Sequence, residues 1–134
     1  MTDDAAVITA TLEQVAERVG DATPLVFRRL FQDHPSLEEL FVRDTAGLVR
    51  GQMFQVTVES LLDFVGDRSY GANLIEIERV NHQGLGVEPD VFDTFYVTVM
   101  ATCRDILGAD WTEEMQAVWS RVVGELTGQS SASP

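Results

Sequence analysis

Arg79-Val80-Asn81-His82-Gln83-Gly84-Leu85-Gly86-Val87-Glu88-Pro89-Asp90-Val91-Phe92 is the stretch around which this chain is organised. It closes one amphipathic segment, turns on Gly84 and Gly86, and opens another at Pro89, whose fixed φ and missing amide hydrogen suit a first helical turn. His82 is the strongest metal ligand the sequence offers. Its place at a helix end predicts a ring that faces an apolar pocket.

Working outward, the segment that leads to His82 carries Leu74, Ile75, Ile77 and Val80, a somewhat irregular stripe after the loop Gly66-Asp67-Arg68-Ser69. The segment from Pro89 has a fuller stripe of Val91, Phe92, Phe95, Val99, Met100, Cys103, Ile106 and Leu107, closed by Gly108. Asp110 followed by Glu113 reads as a capping box for a last helix that carries Trp111, Met115, Val118, Trp119, Val122, Val123 and Leu126. Upstream, Val7, Ile8, Leu12, Val15 and Val19 mark a first helix that stops at Gly20. Thr23-Pro24 opens a second, with Leu25, Phe27, Leu30 and Phe31 on its stripe, and Pro35 ends it at His34.

Ser36 and Glu39 have capping-box spacing and predict a short helical turn that ends in Leu40 and Phe41. Asp44 or Thr45 is then expected to cap a long helix over roughly 46–65, with Met53, Phe54, Val58, Leu61, Leu62 and Val65 at helical spacing. Gly51 lies inside that helix at a propensity cost of about 1 kcal/mol, which suggests that another helix crosses there. No segment shows the alternation of a strand, and the expected class is all-α.

A chain of 134 residues with 45% hydrophobic content is long enough for one domain with its own core. Twenty-two acidic against nine basic residues give a formal charge of -13, which disfavours nucleic acid and anionic membrane surfaces as partners. Cys103 is the single cysteine, so an internal disulfide and a cysteine metal cage are both ruled out, and a small buried apolar role is the simplest one for it. The first residues resemble no signal peptide, and no run reaches membrane-spanning length; the expected location is the cytoplasm. Glycine-rich phosphate loops, serine nucleophile elbows and cysteine–histidine metal spacings are missing. Acidic pairs such as Glu38-Glu39 and Glu113-Glu114 read as capping and solvated-face residues.

Three stretches in order resemble the haem globins of the bacterial single-domain type, similar to the globin part of flavohaemoglobins without the reductase. They are Leu30-Phe31-Gln32-Asp33-His34-Pro35-Ser36-Leu37-Glu38-Glu39-Leu40-Phe41, then His82 through Phe92, then Trp119. The resemblance covers about residues 5–127. It implies a globin fold, a three-on-three helical sandwich as a single domain over 1–134, with 128–134 expected to be a disordered tail.

It also implies roles. His82 would ligate the iron of haem b (protohaem IX) through Nε2, with Nδ1 bonded to a backbone carbonyl one turn earlier. Phe41 would wedge against the porphyrin face, Phe27 would sit on the distal side, and Val87 and Phe92 would complete the proximal pocket. The distal gate falls on Arg50 or Val49: with Arg50, Phe54 is the apolar residue over the iron, and with Val49 it is Met53. Gly51 favours Arg50. Neither register supplies the histidine or glutamine that usually donates to dioxygen, so only Arg50 could stabilise a ligand that gathers negative charge. If Arg50 turns outward, the pocket suits carbon monoxide or nitric oxide.

Two departures bear on activity. Phe92 stands where flavohaemoglobins place a tyrosine, and neither a convincing glutamate partner nor a reductase follows, so self-sufficient nitric oxide dioxygenation is not expected. Glu78 stands one turn before His82, where the family usually places leucine under the haem. A polar histidine at any helix end is the plainer reading of His82, but the spacing to Val87, Pro89 and Phe92 favours a ligand. His34 reads as a helix-end residue with no ligand role.

The expectation is a non-enzymatic haem protein that reversibly binds a diatomic gas, for oxygen storage or transport, scavenging or sensing. Nitric oxide dioxygenation with an external reductant stays open, as does a homodimer. The alternative is a haem-free globin-like sensor or dimerisation domain, in which Glu78 and the missing distal donor find their explanation.

Overall fold

Every helix of this chain starts or stops at a residue that its backbone needs there. The computed structural model describes residues 3–67, 70–87 and 89–132; Arg68 and Ser69 of the expected loop, Glu88 of the motif and the end of the expected tail lie outside them. Helix α1 (Asp4–Val19) is capped by the Asp3 carboxylate, which accepts from the Ala6 amide, and ends at Gly20 with φ 69°. Helix α2 (Thr23–Asp33) begins after Asp21, whose carboxylate accepts from both the amide and the hydroxyl of Thr23. Pro35 stops α2 at His34, as expected.

A 3₁₀ helix follows over Pro35–Phe41, without the Ser36–Glu39 capping box. The turn starts at the proline, so Ser36 already lies inside it and His34 takes the cap position without a side-chain bond. Helix α3 (Leu48–Val65) starts after Gly47, at φ 76°, and its first amides are met by Asp44. Helix α4 (Gly71–Gly84) carries His82, and α5 (Pro89–Leu107) starts at the expected proline.

After a 3₁₀ turn at Gly108–Asp110, α6 runs over Glu113–Ala132, past residue 127, where the structured part was expected to end. Its cap is not Asp110. Thr112 Oγ1 accepts from the Met115 amide at 3.0 Å, and Asp110 pairs with Arg18 instead. Arg18 also donates to the carbonyls of Ile106 and Leu107, both at 3.1 Å, so one guanidinium closes the C-terminal end of α5 from the end of α1.

Helix α5 lies against α1, α2, α4 and α6, while α3 packs on α4, α1 and α2. The all-α fold is the expected one. Its apolar stripes meet in one core that includes Ile8, Phe27, Leu61, Val99 and Trp119. Trp119 is fully buried; its indole Nε1–H donates to Thr11 Oγ1 at 3.1 Å, and that hydroxyl donates to the Val7 carbonyl at 2.7 Å. The α1–α6 contact therefore leaves neither polar group unpaired. Cys103 is buried too, and burial pushes its thiol up to about 12, which suits the packing role assigned to it.

Close helix approach occurs at a different glycine from the one expected. A methyl group at Gly51 would meet nothing within 4 Å, whereas one at Gly71 would lie 2.6 Å from the Ser60 carbonyl oxygen and 3.1 Å from the Phe64 nitrogen. The start of α4 thus rests directly on the α3 backbone. Asp63 accepts from the amides of Tyr70 and Gly71 at 2.9 and 2.6 Å and ties the two helices there.

Candidate functional site

The α3–α4 and α4–α5 contacts enclose a cavity of about 510 Å³, in the range of small-molecule and cofactor sites. Its wall is mainly apolar. The 3₁₀ helix supplies Leu37, Leu40 and Phe41; α3 supplies Val49, Met53 and Val56; α4 and its turn supply Ile75 and Leu85; and Phe92 and Phe95 come from α5.

His82 is set into this wall at the last turn of α4. Its Nδ1 lies 2.7 Å from the Glu78 backbone carbonyl. A carbonyl only accepts, so Nδ1 is the donor here, and in the neutral imidazole Nε2 then holds the lone pair. The His82 carbonyl in turn accepts from the Leu85 and Val87 amides at 3.0 and 2.9 Å, which folds the Gly84–Gly86 turn back on the histidine. Gly86, at φ 93°, makes that turn possible. The imidazole packs on Phe92 at 4.9 Å between ring centroids.

Of the residues singled out in the sequence, Phe41, Val49, Met53, His82, Val87 and Phe92 share the cavity wall. Phe27 lies just behind it, 2% exposed, with its ring 5.3 Å from both Phe41 and Phe95. Arg50 and Phe54 are not in the wall. Successive helix residues differ by about 100° in direction, so a face that presents Val49 and Met53 turns their neighbours aside. Phe54 borders a separate cleft with Asp21, Thr23 and Gly51.

Arg50 is held away by Asp44, which receives its Nε at 3.0 Å and whose backbone carbonyl receives its Nη2 at 2.7 Å. The Asp44 carboxylate also accepts from the amides of Val49 and Arg50, at 3.1 and 3.0 Å. Desolvation works against its charge, but these amide and guanidinium bonds outweigh it and hold the carboxyl below the usual range.

The polar part of the wall was largely invisible in the sequence. Thr57 and Ser60 donate their hydroxyls to the carbonyls of Met53 and Val56, at 2.8 and 2.5 Å. Tyr96 is hydrogen-bonded to Ser60, and burial pushes its phenol up to about 12, so it stays protonated at neutral pH. Gln52 also borders the cavity, one turn after Val49, with an amide that no other described residue engages. Gln52 lies three residues after a cavity residue, but it is exposed and borders the neighbouring cleft as well.

Behind Phe92 lies a buried ion pair. Arg79 reaches Asp93 Oδ1 through Nε at 3.0 Å and Nη2 at 2.7 Å, donates to the Leu126 carbonyl at 3.0 Å, and also pairs with Glu76. Its guanidinium stands 5.7 Å from the Phe92 ring centroid. One cation thereby joins α4, α5 and α6 around the ring that supports His82. A charge inside each of two apolar stripes, opposite in sign, was the sequence signal for it.

Among the described residues, no cluster of three histidine, cysteine, aspartate or glutamate side chains could hold a metal ion, and no helix is long and apolar enough to cross a membrane. Among the described residues of the wall, His82 supplies the one imidazole that could ligate a metal carried by a cofactor.

Comparison with known proteins bears on the family of the fold. A family model described as Globin matches residues 25–130. A flavohemoprotein of Rhizobium meliloti (strain 1021) is 25% identical over 124 residues, which cover 90% of this chain and 30% of that protein. The chain thus spans under a third of that relative's length. No solved structure matches.

Proposed function

Because this chain belongs to the globin family, we propose that it binds haem b in the α3–α5 cavity and uses the iron to bind a diatomic gas reversibly. The observation that carries this is His82: an imidazole in the wall of a mainly apolar cavity, its Nδ1 spent on the Glu78 carbonyl, which leaves Nε2 as the nitrogen available to ligate. The haem, when bound, supplies an iron centre with an open position for oxygen, carbon monoxide or nitric oxide. The chain supplies the rest.

Phe92 and the turn over Val87 fix the orientation of the His82 ring. Phe41 and Phe95, backed by Phe27, give the cavity a rigid aromatic side. Val49 and Met53 form the apolar distal face, while Arg50 is kept out by Asp44. With the guanidinium committed, Gln52 offers the amide donor closest in sequence to that face. The gas most at ease here carries little charge, or just enough for one amide to stabilise.

Among the described wall residues none is a redox group, so turnover of nitric oxide would draw its electrons from outside the cavity; gas storage, transport or sensing needs none. The test is spectroscopic. Purified protein mixed with haemin, reduced with dithionite and exposed to carbon monoxide is expected to show a sharp Soret band that saturates at one haem per chain and shifts with the gas. The broad spectrum of free haemin under all conditions would overturn the proposal. A haem-free sensor or dimerisation domain, the reading that the Glu78 carboxylate in the wall favours, would then stand.

A further inference from the structure

The wall of this mainly apolar cavity holds one carboxylate among its described residues, and it lies beside the histidine. Glu78 precedes His82 by four residues on α4, so the two side chains share a face of the helix. Glu78 Oε2 is 3.9 Å from His82 Nδ1, while the backbone carbonyl of the same glutamate takes the hydrogen bond at 2.7 Å. The carboxylate is too far for a second hydrogen bond but close enough to act as a charge on the imidazole.

Among the described residues no arginine ion-pairs with Glu78. Its neighbour Arg79 is turned to Asp93, Glu76 and the Leu126 carbonyl. The Glu78 side chain, 36% exposed, therefore stands towards His82 in a cavity wall that it shares with apolar Leu74, Ile75 and Phe92.

Resting on the haem reading above, we propose that Glu78 is a positioning residue that acts through His82. Its carboxylate polarises the Nδ1–H, makes the ring a stronger electron donor, and lowers the reduction potential of the iron that His82 holds. A negative charge next to an axial ligand stabilises the more positive oxidation state, so the ferric form gains. In chemical terms this biases the protein towards ligands that a more electron-rich iron holds better, and towards oxidation at rest.

The test compares haem-reconstituted wild type with Glu78→Gln, which keeps shape and loses charge, Glu78→Leu, which removes polarity, and Glu78→Asp, which keeps the charge. Both neutral variants are expected to raise the ferric–ferrous midpoint together, by about tenfold in the oxidised-to-reduced ratio, or about 59 mV for one electron. Glu78→Asp should stay nearer to wild type. Resonance Raman spectra of the reduced protein should show a lower iron–histidine stretching frequency in Glu78→Gln. Equal midpoints in wild type and Glu78→Gln, each with an intact Soret band, would overturn the proposal and leave the haem reading standing. A shift in Glu78→Leu alone would also overturn it, because packing and not charge would then be at work. If wild type shows no Soret band that depends on His82, the haem reading falls first and this inference with it.

Discussion

The Arg79–Asp93 pair should behave as one unit. Both residues are more than nine-tenths buried, and Asp93 receives two of the hydrogen bonds that Arg79 makes. Removal of one partner from a buried pair costs about 3–5 kcal/mol, because the other charge is left without compensation. In Asp93→Leu, Arg79 retains Glu76 and the Leu126 carbonyl, which places the expected loss near the lower end, about 3 kcal/mol.

Arg79→Met strands Asp93 and should cost about 3–4 kcal/mol. The double variant has no stranded charge. Its expected change is within about 1 kcal/mol of wild type, far short of the sum, which gives a coupling of about 6 kcal/mol. Urea unfolding followed by tryptophan fluorescence measures all three, since Trp119 lies in the core beside α1. Each single variant should also melt roughly 10 °C lower. Single losses below about 1 kcal/mol that add in the double variant would refute the reasoning and mark the pair as solvated.

Further outcomes follow from the glycines and the carboxylates. Gly51→Ala, with free space around its new methyl group, should stabilise the protein by about 0.5–1 kcal/mol, whereas Gly71→Ala, pressed against the Ser60 carbonyl, should destabilise it by more than about 1 kcal/mol; thermal unfolding of both variants checks the contrast. Asp44 and Asp21 have folded-state carboxyls held below their ordinary range, so their stabilisation is complete above about pH 4 and is lost as pH falls through the folded value. The stability gap between wild type and Asp44→Asn should therefore be constant from neutral pH down to about 4 and then shrink; a gap that widens with acid would contradict the assignment.

The fold was legible because helix periodicity and its punctuation are local. Gly20, Pro24, Pro35, Pro89 and Gly108 each mark a boundary within a residue or two of the one observed. The place of His82 at a helix end was legible for the same reason, since that end, the glycine turn and the proline are consecutive. What failed was whatever depends on the rotation of a helix or on a distant partner. One residue of phase decides whether Val49 and Met53 or Arg50 and Phe54 face the cavity, and Asp44, several residues upstream, holds Arg50 aside.

Gly51 misled because a glycine in a helix invites a crossing, while the true approach at Gly71 was hidden at the mouth of a loop. Gln52, Tyr96 and the hydroxyls of Thr57 and Ser60 looked like ordinary polar positions until the fold brought α3 and α5 to one cavity. Likewise, Thr112 and not Asp110 caps α6, because Arg18, at the far end of α1, claims the aspartate.

The central claim is that His82 holds a haem iron through Nε2. The most direct measurement is haemin titration of wild type and His82→Gly by Soret absorption, with and without added imidazole. The account predicts one saturable haem per wild-type chain, a collapsed band in His82→Gly, and recovery of that band when imidazole fills the vacated space. An identical Soret band in both proteins without imidazole, or none in either, would contradict it.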